Sequence, residues 1–250
     1  MGLPKIDSPE FNLTLPVTKT KIKYRPFKVK EEKLMLIAQQ TGESGAISNA
    51  IKGVIQNCVL NNVDIRTLPV FEVEWLFLQI RSTSINNIIE MNIRDVEYDA
   101  ENPDADAPHL IPISINLDDV EIDQPEKKKD VISLNDDYNI KLKYPNYEDL
   151  DGIDLSKVTK ENSADYAIDL LAQAIDSVFT PNGAEVFLLK DFKRDEVREF
   201  IESLSSKNFQ DIQAFLQAVP AISYTIEYEN YKGEKKTREL RGLIDFFTFV

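Results

Sequence analysis

His109 is the only histidine in the 250 residues, and Cys58 is the only cysteine. Nucleophilic catalysis by a Ser/His/Asp or Cys/His set needs a base held within hydrogen-bond reach of the nucleophile. His109 follows Pro108 in a turn-rich stretch with no serine or cysteine motif around it. Cys58 falls inside an apolar helical stripe, where a thiol reads as a small buried hydrophobe. One cysteine also excludes an internal disulfide framework and a multi-cysteine zinc site. Asp99, Glu101, Asp104 and Asp106 raise the question of calcium, but Pro103, Asp104 and Leu110 stand where an EF-hand loop started at Asp99 needs an oxygen, a glycine and a glutamate. No glycine-rich phosphate loop is present. With 43 acidic residues, paired carboxylates arise by chance and carry no glycosidase signal. The residues therefore predict no catalytic set, no cofactor and no metal.

The chemistry that remains is charge. The net charge is -14, yet residues 1–33 hold eight Lys/Arg against four Asp/Glu. Lys21, Lys23, Arg25, Lys28, Lys30 and Lys33 interleave with Tyr24, Phe27 and Val29. A nucleic-acid binder needs a wide positive footprint, and this one is short with no basic surface behind it. Docking of an acidic or helical protein partner fits better. The plain alternative is a set of solvated lysines that keep a hairpin edge from aggregating. Apolar contact would come from the aromatic segment VFEVEWLFLQI, with Trp75 and Phe77, although Trp75 is also a natural core residue. The candidate partner-binding residues are thus Lys21, Lys23, Arg25, Phe27, Lys28, Lys30, Lys33, Trp75 and Phe77.

These residues need elements to place them. Phe11, Leu13, Leu15 and then Ile22, Tyr24 alternate as in a hairpin stopped by Pro26. Leu34, Ile37 and Ala38 follow at helical spacing, with Glu31 and Glu32 at the favourable N-terminus and Gly42 as a stop. Ser44 can cap a second helix with the stripe Ile47, Ile51, Val54, Ile55, Cys58, Val59. Pro69 opens a third, apolar nearly all round. Ile89–Ile93, Ile111–Leu117 and Tyr138–Tyr144 alternate as strands, and YDAENPDADAPH between the first two reads as an acidic loop. Ala167, Leu170, Leu171, Ala174, Ile175 and Val178 read as one helix, EVFLL as a strand, and two further helices end at Pro220. Tyr224, Ile226 and Tyr228 begin a last hairpin that turns at Gly233. The fold class expected is α+β, with helical core elements and antiparallel hairpins at the N-terminus, middle and C-terminus. The polar stretch from Glu148 to Ser163 marks a boundary, giving expected domains 1–146 and 147–250. No run reaches the roughly 18 apolar residues of a membrane span. MGLPKIDSPEF lacks an apolar signal core, so a cytoplasmic site is expected.

The stretch LPKIDSPEFNLTLPVTKTKIKYRPFKVKEEKLMLIA resembles the opening of the baseplate hub assembly proteins of T-even-type contractile-tailed phages. DIRTLPVFEVEWLFLQIRSTS is similar to their aromatic helix, INLDDVEI and IKLKYP to their middle strands, and FIESLSSKNFQDIQAFLQAVP with GLIDFF to their end. The resemblance implies a non-enzymatic assembly factor or chaperone for hub or tape-measure proteins, acting in the host cytoplasm, or alternatively a permanent baseplate subunit of the virion tail. It also implies a departure. Relatives carry cysteine pairs in the middle and last hairpins, suggestive of zinc. The corresponding stretches here, VEYDAENPDADAPH and YENYKGEKKTREL, have none, so strand pairing and turn chemistry must hold them.

Overall fold

In the computed structural model, which describes residues 7–41, 44–84, 87–126, 128–149, 159 and 162–246, the first alternating run becomes a hairpin. Phe11–Thr14 (β1) and Lys21–Tyr24 (β2) pair antiparallel, with Phe11 opposite Tyr24 and their rings stacked 5.6 Å apart. Leu15, Ile22 and Tyr24 are buried while Lys21 and Lys23 face out. Lys19 sits at φ 58° in the turn. The buried Glu72 carboxylate closes that turn by accepting from Val17 and Thr18 N–H at 2.7 and 2.8 Å.

Three helices follow: Val29–Thr41 (α1), Ser44–Cys58 (α2) and Val70–Ser82 (α3). Helix α2 buries Ile47, Ile51, Val54, Ile55 and Cys58, the expected stripe. Helix α3 buries Phe71, Val73, Leu76, Phe77, Leu78 and Ile80, which explains an element apolar almost all round. In α1 the buried residues are Glu31, Met35 and Ala38, and Leu34 and Ile37 lie outside. That differs from the expected stripe, because hydrophobic residues occupy both faces and periodicity alone cannot choose between them. The expected stop Gly42 and the side chain of Ser44 lie outside the described residues.

Ile88–Arg94 (β3) and Leu110–Asn116 (β4) form a seven-residue ladder with Ile93 opposite Ile111 and Ile89 opposite Ile115. The acidic stretch between them is not all loop. Asp95 caps a short helix, Val96–Glu101 (α4), accepting from Glu97 and Tyr98 N–H at 3.1 and 3.2 Å. Glu121–Asp123 (β5), Val131–Ser133 (β6) and Asn139–Leu142 (β7) come next, then Ser163–Gln173 (α5) and Ile175–Phe179 (β8). Ile175 and Val178 therefore belong to a strand rather than to the helix before it. Both are β-branched, and Ile140 and Leu142 of β7 supply a ladder for them to join. Val186–Leu188 (β9), Arg194–Glu202 (α6), Ser206–Gln217 (α7), Ala221–Glu229 (β10) and Lys235–Arg241 (β11) complete the chain. Gly233 takes φ 76° in the last turn, and the Asn230 side chain accepts from Lys232 and Glu234 N–H. The fold is α+β.

The described residues divide into two compact units, one drawn from 1–64, 71–123 and 221–250, the other from 65–70 and 124–220. The position 146/147 lies within the second unit. In the first unit β5 pairs with β10, Asp123 opposite Ala221, in a sheet of order β11-β10-β5. Residues 124–220 of the second unit are thereby inserted in the sequence between two neighbouring strands of the first. The second unit holds the sheet β6-β7-β8-β9 and a core that includes Ile140, Leu142, Leu171, Ile201, Ile212 and Phe215. Asp169 of α5 is buried and binds Arg198 at 3.0 Å and Arg194 of α6.

Candidate docking surface

Pro26 has no N–H to continue β2, and the chain turns there into α1. The turn is built on an internal ion pair. Arg25 is buried, and its guanidinium donates to Glu31 Oε1 at 3.0 Å, Pro26 O at 2.8 Å and Asn57 O at 2.9 Å. Glu31 is 0% exposed. Its carboxylate also accepts from Lys28 N–H at 2.8 Å, so it closes the first turn of α1 from the third helical position. Burial acts to raise the Glu31 carboxyl, but hydrogen bonds from Arg25, Lys28 N–H and Lys30 outweigh it and hold the group below the ordinary carboxylate range. Cys58 Sγ lies 3.6 Å from Arg25 Nη1, and burial pushes the thiol up to about 11. It is a protonated core residue rather than a nucleophile at neutral pH.

The nine candidate residues fall into two groups. Arg25 and Phe77 are enclosed by the chain's own fold, and Phe27 packs its ring 5.7 Å from Phe77. Trp75 is half-buried. Lys21, Lys23, Lys28, Lys30 and Lys33 are exposed, although Lys23 pairs with Glu10 at 2.5 Å and Lys30 lies 3.2 Å from Glu31. The outer edge of β2 is not bare: Arg25 N–H donates to Cys58 O, Leu60 N–H to Lys23 O, and Lys23 N–H to Asn61 Oδ1. The lysines thus flank an edge already covered.

The surface that Lys28, Lys30 and Lys33 border is the outer face of α1. Val29, Lys33, Leu36 and Ile37 recur at i, i+4, i+7 and i+8, opposite the buried Glu31, Met35 and Ala38. Val29 is 82%, Leu36 53% and Ile37 49% exposed. An apolar helix face ringed by Lys28, Lys30 and Lys33 presents both area and positive charge, the two ingredients of a protein docking site.

A second cluster went unread in the sequence. The two cysteine-free stretches meet: Asp95 accepts from Tyr231 N–H at 2.9 Å, and Glu97 accepts from Asn230 and Lys236, each at 2.9 Å. Lys232 binds Glu101 at 2.5 Å, and Tyr231 also donates to Glu101. His109 stands 3.7 Å from Asp95 and packs against the Tyr98 ring at 5.2 Å. Burial acts to raise the Asp95 carboxyl, but three backbone N–H groups and His109 hold it below the ordinary range. Carboxylates, lysines and rings add here to the strand pairing and turn chemistry expected to hold these stretches. Asp95 ahead of a helix-compatible Val-Glu-Tyr was the available signal. No group of His, Cys, Asp and Glu suited to a metal occurs among the described residues. Nor is any described helix long and apolar enough to cross a membrane.

Neither a curated protein nor a solved structure matches the chain. A family profile does, over residues 8–248, so it takes in the N-terminal hairpin, both units and the last hairpin. The chain belongs to the T4 bacteriophage base plate protein family.

Proposed function

We propose that this baseplate protein is a non-enzymatic tail morphogenesis factor that promotes assembly of the central hub by binding other hub or tape-measure proteins. The observation that carries the reading is the outer face of α1, where Val29, Leu36 and Ile37 stand exposed beside Lys28, Lys30 and Lys33. An assembly factor must hold a partner and release it, and a surface of moderate apolar area edged by screened charge supports that behaviour. His109, 3.7 Å from Asp95 and set beside two tyrosine rings, supports a packing role over a catalytic one. It acts in the host cytoplasm while tails are being built.

The test is K21E/K28E/K33E. Lys30 is left alone because its charge serves the buried Glu31. The variant should keep the wild-type circular dichroism and recover far less hub protein from an infected-cell lysate. Undiminished recovery would overturn the reading. The second reading, a permanent baseplate subunit, draws support from the family itself. Quantitative mass spectrometry of purified virions separates the two: presence in multiples of three or six supports the subunit, absence supports the factor.

A further inference from the structure

We infer that the second unit carries a separate docking groove for a cationic amphipathic helix of a protein partner. A cavity of about 870 Å³ opens between one end of the four-stranded sheet, where residues of or beside all four strands line it, and helices α6 and α7. Its walls are apolar: Leu134, Val178, Phe187, Phe192, Phe200 and Leu204. Phe187 and Phe192 pack with ring centres 6.4 Å apart yet remain 39% and 44% exposed. Solvent-facing aromatics at the mouth of an apolar groove are the residue type that anchors protein interfaces.

Several polar groups of the groove are already used. Ser205 caps α7 through Asn208 N–H, the Asn208 amide donates to Ser133 O, and Asn135 accepts from Asp137 and Tyr138 N–H. Glu196 accepts from Lys193 N–H. Such walls have little directed hydrogen bonding left for a small polar ligand. Negative charge does remain. Glu199 lines the groove, and Asp136, Asp137 and Glu185 line an adjoining hollow that shares Tyr138. None of these four carboxylates has an ion-pair partner among the described residues, and no Lys or Arg lines either hollow. The sign of this field rejects nucleic acid and anionic lipid and selects Lys or Arg on the occupant. Walls made by two helices, with a cleft wide enough for several apolar side chains, fit a helix seated by i, i+3, i+4, i+7 anchors.

This site is independent of the α1 face, so the two can fail separately. The probe is a labelled 14-residue model helix with Leu at i, i+3, i+4, i+7 and Lys elsewhere, titrated against the full chain by fluorescence anisotropy. A matched helix with Glu for Lys is the control ligand. The Lys helix should bind and the Glu helix should not. F187S/F192S should weaken binding at least about tenfold. D137K/E199K should do the same and flatten the salt dependence. D118K/D119K, an equal charge change in the first unit, should alter binding less than about twofold. Equal losses in the control variant, or none in the groove variants, would overturn the proposal. So would sedimentation showing that the wild type self-associates and F187S/F192S does not, since the groove would then belong to a second copy.

Discussion

Arg25→Met removes a guanidinium while keeping most of its apolar stem. In the wild type that group makes hydrogen bonds to Glu31, Pro26 O and Asn57 O inside the protein. Removing one member of a buried pair costs about 3–5 kcal/mol, because the remaining charge is stranded. Glu31 would keep Lys28 N–H and the Lys30 ammonium, so the lower end, about 3 kcal/mol, is expected. Glu31→Leu in the same background removes the stranded charge and should restore most of the loss, a coupling of about 2 kcal/mol. Urea titration followed by Trp75 fluorescence is suited to this, since the single tryptophan lies in the same unit. The pH dependence supplies the sign. Glu31 titrates below its ordinary 4.5 in the folded chain, so its contribution is present above about 4.5 and disappears as pH falls below it. The gap between wild type and R25M should be widest at pH 7 and should narrow toward pH 3. A loss below about 1 kcal/mol, a gap indifferent to pH, or additivity with E31L would refute this account of the turn.

Burial pushes Glu74 of α3 up to about 7 despite a hydrogen bond from Leu243 N–H. A raised carboxyl stabilises at low pH and loses that contribution as pH rises from about 4.5 through 7, so E74Q should match wild type at pH 4 and exceed it by about 1–3 kcal/mol at pH 8 in thermal melts. Cys58, 0% exposed and with a thiol raised to about 11, should react with a thiol-specific chromogen only after unfolding. Asp95→Ala removes the α4 cap and the acceptor for Tyr231 N–H, and should cost about 2 kcal/mol. Amide exchange at residues 230–234 should rise with it, and unchanged protection there would count against that contact.

Hairpins and the α2 stripe were legible because alternation and 3.6-residue spacing each point to one buried face. Helix α1 was not, since Leu34, Met35, Leu36 and Ile37 are consecutive apolar residues and only tertiary packing decides that Met35 goes in. Strand β8 was hidden by the helix it directly follows. Helix α4 was hidden by its own charge, because acidic residues read as loop unless the capping role of Asp95 is recognised. The cluster of exposed lysines could be found from composition, but the internal role of Arg25 could not. Glu31 looked like a favourable helix-terminal acid, and nothing local says that its carboxylate turns inward to meet a guanidinium six residues earlier. The division into units was illegible for a different reason. It depends on β5, three residues long, pairing with a strand nearly a hundred residues further on.

That pairing governs the order in which the protein can fold during synthesis. When β5 leaves the ribosome, its partner β10 has not been made. The intervening residues 124–220 take about 5–20 s at the usual ~5–20 residues per second. During that interval the second unit can complete its own core, while the apolar side of β5 and the surface awaiting Ile222, Ile226 and Leu240 stay open. The first unit to begin is thus the last to close.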